Sequence, residues 1–232
     1  ADTVVPAVNL PRVRRNSIPY LDWDPIAREM TNAACSAYEF YEGQTTLAAG
    51  TWYVVRGAWQ VGGRVMVSGT EANPARLILC DGATLSVLLG IEVTVSEDGA
   101  TTNALVICGQ QDSTGSLDAT GDYEAAGIGG SSQGAGGIVT INGGEVIATG
   151  GDGGSGIGGG CYAAGGTVTI NGGTVTAGGY NWYAGIGGGY QGDGGVVTIN
   201  GGVVTATGWN GAGIGGSCGG DGGTVTINGG TV

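Results

Sequence analysis

The chain has 232 residues, 54 of them glycine, with 41% hydrophobic and 11% charged side chains and a formal net charge of -12. That balance is the reverse of a disordered chain, and glycine without a three-residue period or abundant proline excludes a collagen helix. All seven cations are arginines, at Arg12, Arg14, Arg15, Arg28, Arg56, Arg64 and Arg76, and twelve carboxylates follow from Leu77 onward with no cation among them. A nucleic-acid partner is not expected, because phosphate neutralisation needs Lys or Arg.

Residues 1–42 read as an extended amino-terminal arm leading into a cap. The segment holds Pro6, Pro11 and Pro19, an apolar start in Val4, Val5 and Val8, and the basic knot Arg12, Arg14 and Arg15. Asp24 followed by Pro25 has the form of a helix N-cap with proline at the first position, which predicts a short helix over Asp24–Met30. The start Ala-Asp-Thr, without a methionine, reads as the product of signal-peptide removal, so export is expected. No apolar run reaches the length that crosses a bilayer as a helix.

Residues 43–126 read as irregular early coils of a β-solenoid, with strands from about Thr51. Apolar runs such as Thr51–Arg56, Arg64–Ser68, Arg76–Cys80, Thr84–Leu89 and Ile91–Val95 alternate with glycine turns. Cys80 and Cys108 end similar strands 28 residues apart, which makes them stacked neighbours, either disulfide-bonded or free. Cys161 and Cys218 share a slot two coils apart, too far for a bridge within one chain. Cys35 completes the five cysteines.

Residues 127–232 write one unit four times, with Ile128, Ile157, Ile186 and Ile214 spaced 29, 29 and 28 residues apart. A period of that length marks a stacked-repeat protein. Each unit carries short β-branched runs between Gly-Gly corners, which argues for strands. The fold class expected is all-β, a parallel β-helix of about 28–29 residues per coil. In Thr167–Ile170, alternation places Val168 and Ile170 toward a core and the threonines toward water. Stacking makes a ladder of Asn142, Asn171, Asn200 and Asn228, and a column of Ala119, Ala148, Ala177 and Ala206.

The runs Trp52–Val55, Arg64–Gly69, Leu77–Leu85, Ala126–Gly130 and the Val-Thr-Ile-Asn-Gly-Gly copies resemble the glycine-rich repeat regions of secreted and surface proteins of gut-type Gram-positive bacteria. Those are described as adhesin-like or carbohydrate-binding β-helix proteins. The resemblance covers Trp52 to the end, implies an extracellular β-solenoid, and carries no catalytic or binding motif over to this chain.

The absence of His and Lys removes the usual general bases, so the expectation is a protein that is not an enzyme and has no cofactor. Carboxylate-only glycoside hydrolysis would have to use Asp193 and Asp221, one on each of two adjacent coils. Those two are expected to be solvated, or else to hold calcium. The GxG runs carry no phosphate-loop information in so glycine-rich a chain. Tyr180, Trp182 and Tyr183 fall in one loop and Trp209 in the next, a candidate platform for polysaccharide, with Tyr162 and Tyr190 in a second loop column. Thr140, Thr169, Thr198 and Thr226 form a hydroxyl file of ice-binding type, beside an impure file of Ile138, Thr167, Val196 and Thr224. Thr231 and Val232 leave the last coil without a cap. The expected partner is therefore another copy, joined head to tail, with Arg12, Arg14 and Arg15 meeting carboxylates of the neighbouring coil.

Overall fold

The computed structural model describes residues 17–180 and 183–232. Apart from an amino-terminal hairpin, the strands form three parallel sheets, and each strand pairs with its equivalents one coil before and one coil after. Sheet I has eight strands, from Glu39–Phe40 to Thr224–Ile227; sheet II has six, from Ala58–Val61 to Val203–Thr207; sheet III has seven short ones, from Thr46–Leu47 to Ile214–Gly215. The expected parallel β-solenoid is what the chain forms.

The register follows the repeat letter for letter. Val139, Val168, Val197 and Val225 are partners in successive coils, as are Ala119, Ala148, Ala177 and Ala206. Because side chains alternate across a strand, a one-residue slip would turn every valine and isoleucine outward, so burial itself sets the register. In one coil Val168, Ile170, Val175, Ala177 and Ile186 point inward and are at most 1% exposed. Each large aliphatic group buried this way contributes about 1.5–3 kcal/mol. The early coils fill the same interior with bigger groups, among them Leu77, Leu79, Leu85, Leu105 and Leu117.

Glycine is required where the coils approach most closely. Gly158 begins the corner after the sheet III strand at φ 136°, and Gly129, Gly187 and Gly215 repeat it at 141°, 137° and 135°. A Cβ at Gly158 would run into the carbonyl oxygen of Gly187. The column is therefore glycine both for its backbone conformation and for lack of room.

The amino-terminal region departs from the expectation in two ways. The segment Asp24–Met30 is no helix. It is the turn of an antiparallel hairpin between β1 (Ile18–Asp24) and β2 (Glu29–Cys35). The capping chemistry is present, since Ile26 and Ala27 donate their N–H groups to Asp24 Oδ1 at 2.8 and 3.0 Å. Those bonds hold the Asp24 carboxyl below the usual carboxylate range. Arg28 then takes φ 57° and its N–H closes on the Asp24 carbonyl at 2.7 Å, which turns the chain back into a seven-residue ladder. Pairing over that length outweighs a single turn of helix.

Second, the hairpin does not close the end of the solenoid. It runs lengthwise over the outer face of sheet I. Tyr20 packs on Trp52 at 4.7 Å between ring centroids, Gln110 donates to the Pro19 carbonyl, Asn142 donates to Asp22, and Met30 lies beside Gly172. These contacts spread along sheet I from the coil of Trp52 to the coil of Gly172. The first coil strand is Glu39–Phe40, earlier than Thr51, and Tyr41 is already in the core.

The cysteine pairing is also corrected. Strand register sets Cys108 opposite Ile78 and Gly109 opposite Leu79, so Cys80 lies two residues beyond its supposed neighbour. All five cysteines are free thiols. Cys108 lies under the hairpin in a second apolar cluster with Ile18, Tyr20, Cys35, Tyr38, Val54 and Ile78, and burial pushes its thiol far above the ordinary range.

Candidate functional site

The outer face of sheet I carries the most organised polar chemistry in the molecule. Asn171 Nδ2 donates to Asn142 Oδ1 at 2.8 Å, Asn200 to Asn171 at 2.7 Å, and Asn228 to Asn200 at 2.8 Å. Each asparagine follows the last inward isoleucine of its strand, where the chain leaves sheet I for the Gly-Gly corner. Asn142, Asn171 and Asn200 each donate backward and accept forward, and Asn228 donates backward, so the bonds polarise one another along the axis. Asn142 and Asn171 are buried.

The ladder has a terminus that sequence reading missed. Asn142 Nδ2 donates to Asp22 Oδ1 at 3.0 Å, so the hairpin supplies the first acceptor. Ahead of Asn142 the same outward file continues as Cys108, Ile78 and Val54, all fully buried. The file is apolar under the start of the hairpin and becomes amide at Asn142 and Asn171, near the hairpin's turn, and in the coils beyond it. That change of residue type at one repeat position was the available signal that something covers the early coils.

The structure rearranges the proposed aromatic platform. Tyr180 and Trp209 are exposed, at 53% and 84%, while Tyr183 is 9% exposed and Trp182 lies outside the described residues. Tyr183 donates its hydroxyl to Asp152 Oδ1 at 3.2 Å and packs edge-on against Tyr190 at 5.9 Å. Tyr162 packs edge-on against Tyr190 at 5.2 Å. Loss of water, and then the charge of Asp152, push the Tyr183 phenol up to about 12. The two loop columns that looked separate in sequence thus meet through Tyr183 and Tyr190.

Asp193 and Asp221 do sit on adjacent coils. The Asp221 N–H donates to Asp193 Oδ1 at 2.7 Å, and the Asp221 carbonyl accepts the Gly194 N–H at 2.8 Å. Among the described residues there is no group of three or more His, Cys, Asp or Glu placed to share a metal ion. The threonine file is in register as expected, Thr140 to Thr169 to Thr198 to Thr226, and its flanking file is mixed. Thr231 pairs with Val203, and its carbonyl accepts the Val204 N–H. Val232 is exposed. Arg12, Arg14 and Arg15 lie outside the described residues.

Four segments match a beta helix repeat family. They are residues 115–132, 139–161, 168–190 and 197–220. The last three matches begin on Val139, Val168 and Val197, the partnered inward valines of sheet I, so each match takes up the coil at the same point. No curated protein and no solved structure matches the chain. Among the described residues no helix is long and apolar enough to cross a membrane.

Proposed function

We propose that this chain is a non-catalytic structural solenoid of an exported cell-surface protein, which holds distance, presents its faces, and joins further coils end to end as a scaffold or adhesive fibre. The asparagine ladder is the observation that carries this reading. Three successive amide bonds of 2.7–2.8 Å run along the axis, and each coil reproduces the donor and acceptor positions of the last. A surface of that kind accepts another coil of the same repeat, whether from the same chain or from a second copy. The polar groups along the coils serve one another, and among the described residues no buried side-chain nitrogen or oxygen lacks a partner. The lack of His and Lys supports the non-enzymatic part.

The test is sedimentation and electron microscopy of the full chain over a hundredfold range of concentration. Rods that lengthen with concentration are expected. A strictly monomeric particle at the highest concentration would sink the end-to-end element of the reading.

A second reading, sugar binding on the loop ridge, is favoured by Trp209 and Tyr180, exposed rings at equivalent loop positions of adjacent coils. Aromatic faces beside polar groups can stack on sugars. Its test is retention on insoluble polysaccharides, which Trp209→Ala should reduce.

A further inference from the structure

The hairpin does not lie flat on the coils along its whole length. A cleft of about 390 Å³ opens between β1 and the outer face of sheet I, with a lining that runs from Trp52 to Asn171. That volume is within the range of small-ligand sites. Asp22, Trp23, Arg76, Thr140, Asn142 and Asn171 face into it.

Asp22, Arg76, Asn142 and Asn171 are already held by hydrogen bonds, and Asp22, Arg76 and Asn171 keep hydrogen-bonding capacity. Asn142 and Asn171 are 3% and 4% exposed; Asn142 donates to Asp22 and also bonds the Cys108 thiol, whereas Asn171 uses one amide N–H in the ladder and keeps a second. Asp22 Oδ1 accepts from Asn142 and from the Trp23 N–H, which leaves Oδ2 as an acceptor. The Arg76 guanidinium lies over the Trp52 ring at 4.9 Å from its centroid, and Nη1 donates to the Pro74 carbonyl at 3.1 Å. A stacked guanidinium fixed at one corner presents its other donors in a set direction. Trp23 is half-buried at the margin and supplies an aromatic surface.

The ligand class follows from that combination. One carboxylate and one guanidinium balance, so an anion would meet Asp22 and a cation would meet Arg76. A neutral group that both donates and accepts several hydrogen bonds, and that has an apolar edge for an indole, satisfies all of these groups together. A pyranose ring has these properties. We propose that the cleft binds a terminal sugar residue of a neutral oligosaccharide. Holding the groups in place beforehand lowers the entropy lost on binding. This site is a concave cleft at the hairpin, goes beyond the scaffold reading, and does not rest on Tyr180 or Trp209.

The experiment titrates the full chain with maltotriose, cellotriose, mannotriose and chitotriose, followed by saturation-transfer NMR and calorimetry. At least one is expected to bind, with a dissociation constant in the millimolar range or tighter. Trp23→Ala, and separately Thr140→Trp, which fills the cleft from the surface, should each weaken that binding tenfold or more while the melting temperature stays within a few degrees. Trp209→Ala should leave it unchanged. The proposal is overturned if none of the four binds the folded chain, or if binding survives both cleft variants. It is equally overturned if Trp209→Ala alone abolishes binding, which would support the loop ridge instead.

Discussion

The early and the late coils solve the same packing problem with different means. Before about residue 126 the interior is filled by leucines and valines, and the outer face of sheet I is apolar because a hairpin covers it. After that point the interior narrows to Val, Ile and Ala, the corners become glycine, and the outer face becomes Asn and Thr. Side-chain volume supports the first region. Close backbone approach supports the second, and it tolerates almost no added atom.

The sharpest way to break that contrast is a single methyl group. Gly158→Ala places a Cβ against the Gly187 carbonyl at a φ that only glycine accepts readily, and is expected to cost upwards of about 4 kcal/mol. Gly63→Ala, in an early turn with open space around it, should fall within about 0.5 kcal/mol of the parent. Denaturant unfolding of the two variants measures the difference. Equal losses would refute the division.

Core truncation should run the other way. Leu105 and Val139 are register partners on either side of the change, and both are buried. Leu105→Ala is expected to cost about 3 kcal/mol through the cavity it leaves, and Val139→Ala about 2 kcal/mol because it removes fewer atoms. A larger loss at Val139 would mean that the late core is the tighter one.

Asn171→Ala removes a donor to Asn142 and an acceptor from Asn200, leaving two partners unmatched, and should cost about 2 kcal/mol. Asn228→Ala breaks one bond at an exposed position and should cost less than half as much. Similar losses from the two would mean that burial of the ladder adds nothing.

The mildest test is alkaline. Burial pushes the phenols of Tyr20 and Tyr41 in the early region, and Tyr183 in the late one, up to about 12. The folded state therefore keeps protons that the unfolded chain gives up near pH 10. Stability should begin to fall near pH 9, where the unfolded chain releases the protons that buried thiols such as Cys108 keep, and fall further from about pH 10 through 12 as these phenols add to the loss. Tyr41→Phe should flatten that fall, and an unchanged slope in this variant would show that Tyr41 does not contribute.

Much of this arrangement was legible before any coordinates, and the reason is the repeat. When equivalent residues recur every 28 or 29 positions, stacking turns text alignment into contact. The Asn ladder, the Ala column and the inward valines could therefore be assigned from letters alone. Where the repeat fades, that inference failed. Cys80 and Cys108 look equivalent as strand ends, yet alternation of Leu77 with Ile107 sets a register two residues away. Tyr183 reads as a surface ring by its loop and is buried by its neighbours.

What the sequence by itself determined is the coil: its period, its parallel register and which side of each strand faces inward, because apolar alternation in a periodic chain leaves one arrangement that buries every branched side chain. Only the tertiary structure decided the course of Ile18–Cys35, whose Asp24 turn has the local signature of a helix start. The hairpin's place on sheet I depends on contacts to Trp52, Cys108 and Asn142, between about 20 and 120 residues away in the chain. No local pattern encodes a contact of that range, and the same contacts form the cleft at Asp22 and Arg76.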